Sequence, residues 1–247
     1  MTDPQVSELM VRGIVVGVFA ENCWIIGSRR TREAVAIDPG YQPEEILALA
    51  RDMGVEIKTI ANSHAHIDHI LGVRGVQAAT GAKFLLHPQE VPIAQSVAPM
   101  AARWMGQTVE SPPEPDGLLS DGDEVKVEGL TLKVIHTPGH TPGSVSYYTE
   151  GMLFSGDTLF QGSIGRTDLP GGSYEQEMAS IVDKLLALPD ETLVLPGHMR
   201  ETKIGIEKQT NPFVLEELAR RRGLYASRSS ALGIEVVLSR SAEEAVA

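Results

Sequence analysis

The arrangement of short apolar runs constrains the fold of this chain more than any other feature of its sequence. Runs rich in Val, Ile and Leu fall into two groups, and stretches with helical periodicity occur within or after each group. A sheet that is apolar on one face must bury that face against another layer. We therefore expect two sheets packed together with helices on their outer sides, which is a layered α/β architecture.

The predicted strands and helices follow one another along the chain in two sets. In the first set, strands are predicted at residues 11–19, 23–26, 34–37, 57–61 and 83–86, and helices at residues 43–53 and 70–79. In the second set, strands are predicted at residues 124–127, 130–135, 144–148, 152–154 and 192–195, and helices at residues 173–186 and 202–222. Ser173 is the expected N-cap of its helix, and the last helix is interrupted near Asn211. A Pro-rich loop at residues 107–123 separates the two sets.

Length and periodicity together predict the domain organisation. The chain has 247 residues, which fits one substantial domain at roughly 100–200 residues per domain. We assign residues 1–225 to that domain. Residues 226–247 have no strong hydrophobic period, so we expect them to form an accessory C-terminal tail.

Charge and composition exclude several classes of function. The chain has 21 Lys and Arg against 33 Asp and Glu, a formal net charge of −12. Nucleic acids and anionic membranes require a clustered positive footprint, so this balance argues against binding to either. The single Cys, Cys23, cannot form an intramolecular disulfide, and the first ten residues lack the cationic segment of a secretory signal. We expect a cytoplasmic enzyme or small-molecule binder.

The histidines are concentrated in a few short segments. Three of the seven, His64, His66 and His69, lie within six residues, and Asp68 stands among them. Packing so many ionisable groups together without a cation leaves like charges or unsatisfied donors in one place. Imidazole and carboxylate are ligands that Zn, Fe and Mn accept in proteins. This segment therefore predicts metal binding just past the strand at 57–61.

The number of ligands favours two metals over one. A six-residue turn offers more ligands than one metal takes from so short a segment. His64 and His66 can point together if that part is extended, while Asp68 and His69 can turn toward a neighbouring position. Three further residues near the ends of predicted strands can complete the two positions. They are His140 for the first metal, His198 for the second, and Asp157 as a bridge between them.

Several motifs in combination resemble those of the metallo-β-lactamase fold superfamily. They are His64-Ala65-His66-Ile67-Asp68-His69, Thr137-Pro138-Gly139-His140-Thr141-Pro142-Gly143-Ser144, Gly156-Asp157-Thr158-Leu159-Phe160 and Pro196-Gly197-His198. Two more look like those of small bacterial hydrolases of the glyoxalase II type. They are Gly162-Ser163-Ile164-Gly165-Arg166-Thr167-Asp168 and Thr210-Asn211-Pro212-Phe213. Together the motifs are spread over most of the chain.

The resemblance implies a four-layer αββα sandwich with the metal site at one edge of the two sheets. It implies that the first metal is held by His64, His66 and His140, the second by Asp68, His69 and His198, and that Asp157 bridges the two. Zn is the preferred metal, with Fe or Mn as alternatives. The β-lactamase branches use other ligands at the bridging place, so the Asp found there argues against antibiotic hydrolysis.

The implied activity is hydrolysis of a thioester, S-D-lactoylglutathione or a related acyl thiol, by a hydroxide that bridges the two metals. A thiolate leaving group has a conjugate-acid pKa of about 8.5 and departs without a strong general acid, which suits a site built from ligands alone. Asp68 is the candidate catalytic residue, because it can orient the hydroxide or take its proton. The thiol carrier and the oligomeric state stay open.

Other interpretations of the same motifs are open as well. Arg166 either contacts a carboxylate of the thiol carrier, as a cation does in glyoxalase II relatives, or forms a structural pair with Asp168. For the whole chain, the main alternative is a persulfide dioxygenase with one iron held by His64, His140 and Asp157. A lactonase, which needs the same hydroxide, is a second alternative.

Overall fold

Two six-stranded sheets form the centre of the molecule. The computed structural model describes residues 8–106, 108–229 and 234–239. The first sheet contains β1 (Leu9–Val16), β2 (Glu21–Ser28), β3 (Glu33–Ile37), β4 (Glu56–Ala61), β5 (Lys83–Leu86) and β6 (Gly117–Leu118), in that spatial order. β1, β2 and β3 pair antiparallel, whereas β3, β4, β5 and β6 run parallel.

Parallel strands need crossover connections, and most of these are helical. The helices of this half are α1 (Pro43–Met53), α2 (Ile67–Ile70), α3 (Val73–Thr80) and α4 (Val91–Met100), with a 3₁₀ turn at Pro88–Glu90 and a π-helical stretch at Ala101–Met105. α1 has Pro43 in its first turn and ends at Gly54, whose φ is 66°. Its residues Ile46 and Leu49 are buried in the core that covers the sheet.

The second sheet is built from later strands. They are β7 (Glu124–Val127), β8 (Leu130–His136), β9 (Val145–Thr149), β10 (Met152–Gly156), β13 (Leu193–Pro196) and β14 (Thr202–Lys203), in the spatial order β14, β13, β10, β9, β8, β7. β10 and β13 run parallel, and the other neighbours in this sheet are antiparallel. Between β10 and β13 in the chain, β11 (Leu159–Phe160) and β12 (Ser163–Ile164) form a small sheet of their own.

Three helices accompany the second sheet. They are α5 (Tyr174–Ala179), α6 (Ile204–Thr210) and α7 (Pro212–Arg221). α5 continues through a π-helical stretch at Ser180–Lys184 and a 3₁₀ turn at Leu185–Ala187. Ser173 caps α5 as predicted, because its Oγ accepts a hydrogen bond from the Gln176 amide. The predicted interruption at Asn211 is confirmed, since its Oδ1 accepts hydrogen bonds from the first amides of α7. In the described part of the chain, no helix is long and apolar enough to cross a membrane.

Three apolar cores separate four layers. The middle core lies between the two sheets, where Ile37 of β3 and Tyr147 of β9 are fully buried. Another core lies between the first sheet and α1, α3 and α4. The last one lies between the second sheet and the helices α5, α6 and α7. The order helix, sheet, sheet, helix confirms the four-layer αββα sandwich.

Several predicted boundaries are wrong, and two of them are explained by glycine. The strand predicted at 11–19 ends before Gly17, which has a φ of 67° and turns the chain toward β2. The helix predicted at 70–79 is two helices, α2 and α3, with Gly72 between them. A Cβ atom at Gly72 would lie 2.6 Å from the carbonyl oxygen of Pro39, so the close approach of these segments requires glycine.

The remaining differences are local. The helix predicted at 202–222 begins with β14, and the loop predicted at 107–123 contains β6. Part of the predicted tail 226–247 is a hairpin, in which β15 (Leu224–Ser229) and β16 (Ile234–Ser239) pair antiparallel. The domain boundary after residue 225 falls within β15 and stays a prediction. The other residues of the tail, and residues 1–7, lie outside the described residues.

Candidate metal centre

Loops at one edge of the sheets bring the predicted ligands together. The segment from His64 to His69 follows β4, His140 follows β8, Asp157 follows β10 and His198 follows β13. β8, β10 and β13 run in the same direction, because β8 and β10 both pair antiparallel with β9 and β13 pairs parallel with β10. Their carboxyl ends therefore lie at the same edge, where loops can carry functional side chains into a cleft.

The first group of candidate ligands is formed by His64, His66 and His140, which offer ring nitrogens within 4.8 Å of one another. His66 Nδ1 and His140 Nε2 are 2.8 Å apart. His64 is fully buried, and its Nε2 has no hydrogen-bond partner within the described residues. An orphaned buried nitrogen beside two other imidazoles fits a divalent cation.

The second group is formed by Asp68, His69 and His198, whose donor atoms also lie within 4.8 Å of one another. His198 Nε2 is 3.2 Å from Asp68 Oδ2 and 3.4 Å from His69 Nε2. The structure thus assembles the two sets of three residues that the resemblance implied. Metal binding by them stays a prediction.

Asp157 lies between the two groups. Its Oδ1 is 3.4 Å from His69 Nε2, and its Oδ2 is 3.6 Å from both His140 Nε2 and His198 Nε2. Asp157 Oδ1 is buried and has no hydrogen-bond partner in the described part of the chain. A carboxylate within reach of both groups has the position that a bridging ligand requires.

The three histidines of the first group are neutral at pH 7. Burial lowers the pKa of His64 well below its usual value, and the nearby His69 lowers it further. Burial, followed by the neighbouring His140, lowers the pKa of His66 to about 4. Burial also lowers the pKa of His140. Neutral imidazoles have lone pairs that can bind a cation without displacing a proton.

The histidines of the second group are shifted toward the protonated form instead, because the pKa of each is raised. Burial opposes the positive charge of His69, but Asp157, Asp38 and Asp68 outweigh burial and raise the pKa of His69 well above its usual value. Burial likewise opposes the charge of His198, and the hydrogen bond to Asp68 raises its pKa overall. A cation therefore competes with protons for this group when it binds.

We expect zinc binding at the second group to depend steeply on pH. Because the pKa values of His69 and His198 are raised, protons compete with the metal at low pH and leave as the pH rises. The affinity for the second equivalent of zinc should increase by up to about tenfold per pH unit for each proton displaced. Calorimetric titration in buffers of different ionisation enthalpy measures the protons released. Equal affinity for the second equivalent at pH 6 and pH 8 would contradict this assignment.

Two buried carboxylates outside the predicted ligand set lie next to His69; the motif Ile37-Asp38-Pro39-Gly40 predicts that one of them, Asp38, caps nearby backbone amides, whereas Glu21 was not identified from the sequence. Asp38 Oδ2 lies 3.2 Å from His69 Nδ1, and Asp38 Oδ1 accepts a hydrogen bond from the Ser63 amide. Glu21 Oε1 lies 3.8 Å from the same ring nitrogen, and burial raises the pKa of Glu21 well above its usual value. With Nδ1 turned toward these carboxylates, His69 presents its Nε2 to the centre.

Glu90 joins the two segments that carry the first group. It is fully buried, and its Oε2 accepts a hydrogen bond of 2.8 Å from the Ala65 amide. Its Oε1 accepts hydrogen bonds from the Thr141 hydroxyl at 2.7 Å and the Gly143 amide at 2.8 Å. Ala65 lies within the first histidine motif and Thr141 follows His140, so one carboxylate connects both sources of ligands.

A second glutamate, Glu177, also contacts the loop that carries His140. Its Oε2 accepts a hydrogen bond of 2.8 Å from the His140 amide. Burial raises the pKa of Glu177 to about 9, so the side chain is protonated at pH 7. Sequence analysis missed both Glu90 and Glu177, because a glutamate in a helical segment carries no local signal of burial. Their burial results from contacts between segments far apart in the chain.

Arg166 forms the structural pair that was one of its two predicted roles. Its guanidinium makes two hydrogen bonds of 2.8 Å to the Asp168 carboxylate, and both side chains are exposed. The Arg166 carbonyl oxygen accepts a hydrogen bond of 2.7 Å from His140 Nδ1, which leaves His140 Nε2 for the centre. A contact of Arg166 with substrate stays a prediction.

The sequence of the chain is similar to that of a known family and to those of individual proteins. A family model described as the metallo-beta-lactamase superfamily matches residues 16–198. An uncharacterised protein of Aquifex aeolicus is 38% identical over 213 residues, which are 85% of this chain and 99% of that protein. Hydroxyacylglutathione hydrolase GloC of Haemophilus influenzae is 32% identical over 209 residues, 81% of this chain and 96% of GloC.

Several solved structures resemble the chain over most of its length. BLEG-1 B3 metallo-beta-lactamase is 38% identical with a TM-score of 0.78, covering 83% of this chain and 99% of its own. TTHA1623, crystallised in a di-iron-bound form, is 38% identical with a TM-score of 0.74, covering 82% and 99%. ETHE1 from Myxococcus xanthus is 30% identical with a TM-score of 0.70, covering 82% and 83%.

Proposed function

The chain belongs to the metallo-beta-lactamase superfamily, and from that membership we propose that it is a binuclear hydrolase that cleaves S-D-lactoylglutathione or a related acyl thioester. The observation that carries the proposal is the place of Asp157 between two groups of three candidate ligands. The similarity to GloC supports the choice of a thioester, and the di-iron form of TTHA1623 supports a site for two metals.

Two divalent cations held by these two groups and Asp157 would supply a water of lowered pKa and a Lewis acid for a carbonyl oxygen. In this proposal Asp68 would take up a proton at Oδ2, the oxygen that lies 3.2 Å from His198 Nε2. Burial disfavours its ionised form, but the hydrogen bond to His198 and the charge of His69 lower the pKa of Asp68 overall, so it is a carboxylate at pH 7. A thiolate leaves without a general acid, which suits a thioester better than an amide.

The main alternative uses fewer of these residues. A one-iron persulfide dioxygenase needs His64, His140 and Asp157, and the similarity to ETHE1 keeps this hypothesis open. The convergence of Asp68, His69 and His198 into a second group favours two metals instead. A lactonase would use both groups, so only substrates can separate it from a thioesterase.

We expect purified protein to contain about two metals per chain and to hydrolyse thioesters, with at least about a hundredfold loss of activity after chelation and recovery on adding zinc. The measurements are elemental analysis and a substrate panel that contains S-D-lactoylglutathione, other acyl thioesters, a lactone and, because of BLEG-1, a β-lactam. Undiminished activity in fully demetallated protein would refute the proposal. Rapid oxygen uptake with glutathione persulfide by protein holding one iron per chain would replace it with the dioxygenase.

A further inference from the structure

The backbone on both sides of His198 is constrained. Gly197 has no room for a side chain, because a Cβ atom there would lie 2.4 Å from Asp157 Oδ1 and 2.7 Å from Cε1 of His69. Met199 has a φ of 68°, which lies in the left-handed region. A residue with a side chain seldom adopts this conformation, and it persists only where the surrounding contacts hold it. The contacts of these two neighbours therefore decide where the His198 side chain lies.

The contacts that hold this loop come from β2 of the first sheet, although His198 follows β13 of the second sheet. The backbone N–H of Asn22 donates a hydrogen bond of 2.7 Å to the Gly197 carbonyl oxygen. The side-chain NH₂ group of Asn22 donates to two more carbonyl oxygens, at 3.0 Å to that of Pro196 and at 2.9 Å to that of Met199. Asn22 is buried, so a lost donor would not be replaced freely by water.

The chemistry of the asparagine side chain matches this place. An amide NH₂ group supplies two donors from one nitrogen atom, whereas a hydroxyl group supplies one donor and a carboxylate supplies none. The Pro196 carbonyl oxygen also accepts a hydrogen bond of 2.9 Å from the indole Nε1 of Trp24. Loss of the Asn22 side chain would leave that oxygen paired, but it would take from the Met199 carbonyl oxygen the bond that fixes the strained residue.

We propose that Asn22 is a positioning residue for the second predicted metal, because its side-chain amide holds Met199 in the left-handed conformation and so keeps His198 beside Asp68 and His69. The inference rests on the two-metal site of the proposed function. Without the amide, Met199 would return to a negative φ and turn the peptide that links it to His198. The His198 ring would then leave its place 3.2 Å from Asp68 Oδ2 and 3.4 Å from His69 Nε2.

The first experiment compares zinc binding by wild-type protein and by Asn22→Leu, since leucine has a similar branched shape but no donor. Asn22→Leu is expected to lower the affinity for the second equivalent of zinc by about 10- to 100-fold and to leave the affinity for the first equivalent unchanged. Calorimetric titration measures both. Gln95→Leu removes an exposed side-chain amide that donates to Glu114, and it should keep both affinities. An unchanged second affinity in Asn22→Leu, or an equal loss at both equivalents, would overturn the inference.

Cobalt provides a readout that a loss of stability alone does not change. The visible absorption of Co²⁺-loaded protein reports the ligands and geometry around each ion. In Asn22→Leu the bands that appear with the second equivalent of Co²⁺ should weaken, while those of the first equivalent keep their wild-type shape. Wild-type bands for both equivalents in folded Asn22→Leu would show that His198 keeps its place without Asn22.

Substitutions of Met199 test the backbone part of the inference without any metal. Glycine adopts a φ of 68° without strain, whereas alanine keeps a Cβ atom at the same φ. Metal-free Met199→Gly is expected to have an equilibrium constant for folding about fivefold larger than that of Met199→Ala, as measured by urea unfolding. Equal constants would show that Met199 is not held under strain, which is contrary to the proposal.

The combined variant shows whether Asn22 acts through Met199. In the Met199→Gly background the left-handed conformation needs no support, so adding Asn22→Leu should cost at least about fivefold less affinity for the second zinc than it costs in wild-type protein. The same loss in both backgrounds would refute the route through Met199. Zinc affinities as expected without hydrolysis of any thioester would support the role of Asn22 and refute the thioesterase. Binding of a single zinc ion by wild-type protein would refute both.

Discussion

Replacing Asp157 with alanine is expected to lower kcat/KM for thioester hydrolysis by at least about a thousandfold. The carboxylate lies within 3.6 Å of ring nitrogens from both groups, so both predicted metals would lose a ligand. Loss of several kcal/mol of metal-assisted stabilisation corresponds to a rate change of this size. Elemental analysis of the same preparation should show fewer than two metals per chain.

A matched substitution on the surface controls for loss of fold. Asp52 is an exposed residue of α1 that pairs with Arg12, so Asp52→Ala should keep both metal content and kcat/KM. Circular dichroism and thermal unfolding of the metal-free forms show whether the Asp157→Ala protein is folded. A folded Asp157→Ala protein with two metals and wild-type activity would remove Asp157 from the site.

Replacing Glu90 with glutamine should weaken the first predicted metal site by about 10- to 100-fold although Glu90 is not itself a predicted ligand. Glu90 accepts hydrogen bonds from two backbone amides and one hydroxyl. Glutamine offers a single acceptor oxygen. Its NH₂ group would face one of these three donors, to which it cannot form a hydrogen bond. At least one buried donor is left unpaired, which should also lower the free energy of unfolding by about 1–3 kcal/mol.

Zinc competition with a coloured chelator measures the affinity, and urea unfolding of the metal-free protein measures the stability. Glu44, an exposed residue in the first turn of α1, provides the matched control, and Glu44→Gln should change neither quantity. Wild-type zinc affinity in Glu90→Gln would show that the carboxylate does not hold the histidine motif and the His140 loop in place.

The sequence predicts much of this centre because four candidate ligands lie within six residues and three more follow strand ends. Clustering of that kind is visible without a structure. The carboxylates Glu21, Glu90 and Glu177 carry no such signal. Each becomes buried only when segments distant in the chain pack together, as when Glu90 meets Gly143, 53 residues away.

The layers of the fold follow from hydrophobic patterning, but the ends of strands and helices do not. Gly72 interrupts a helical pattern because the chain passes within contact distance of Pro39, which local propensity cannot reveal. The helix predicted at 173–186 keeps its N-cap at Ser173 yet changes to π-helical winding after Ala179. Tertiary packing, rather than the pattern of apolar residues, decides such details.

Each predicted metal would take ligands from both halves of the sandwich, since the histidine motif follows a strand of the first sheet and His140 and His198 follow strands of the second. Bound cations would therefore hold the two halves of the sandwich together. The chain has a single cysteine, so no disulfide within the chain can do so. At a free-metal concentration about a thousand times Kd, such binding adds about 4 kcal/mol to the native state. Protein synthesised during metal starvation would open more often and be degraded sooner, so its cellular lifetime would follow the metal supply.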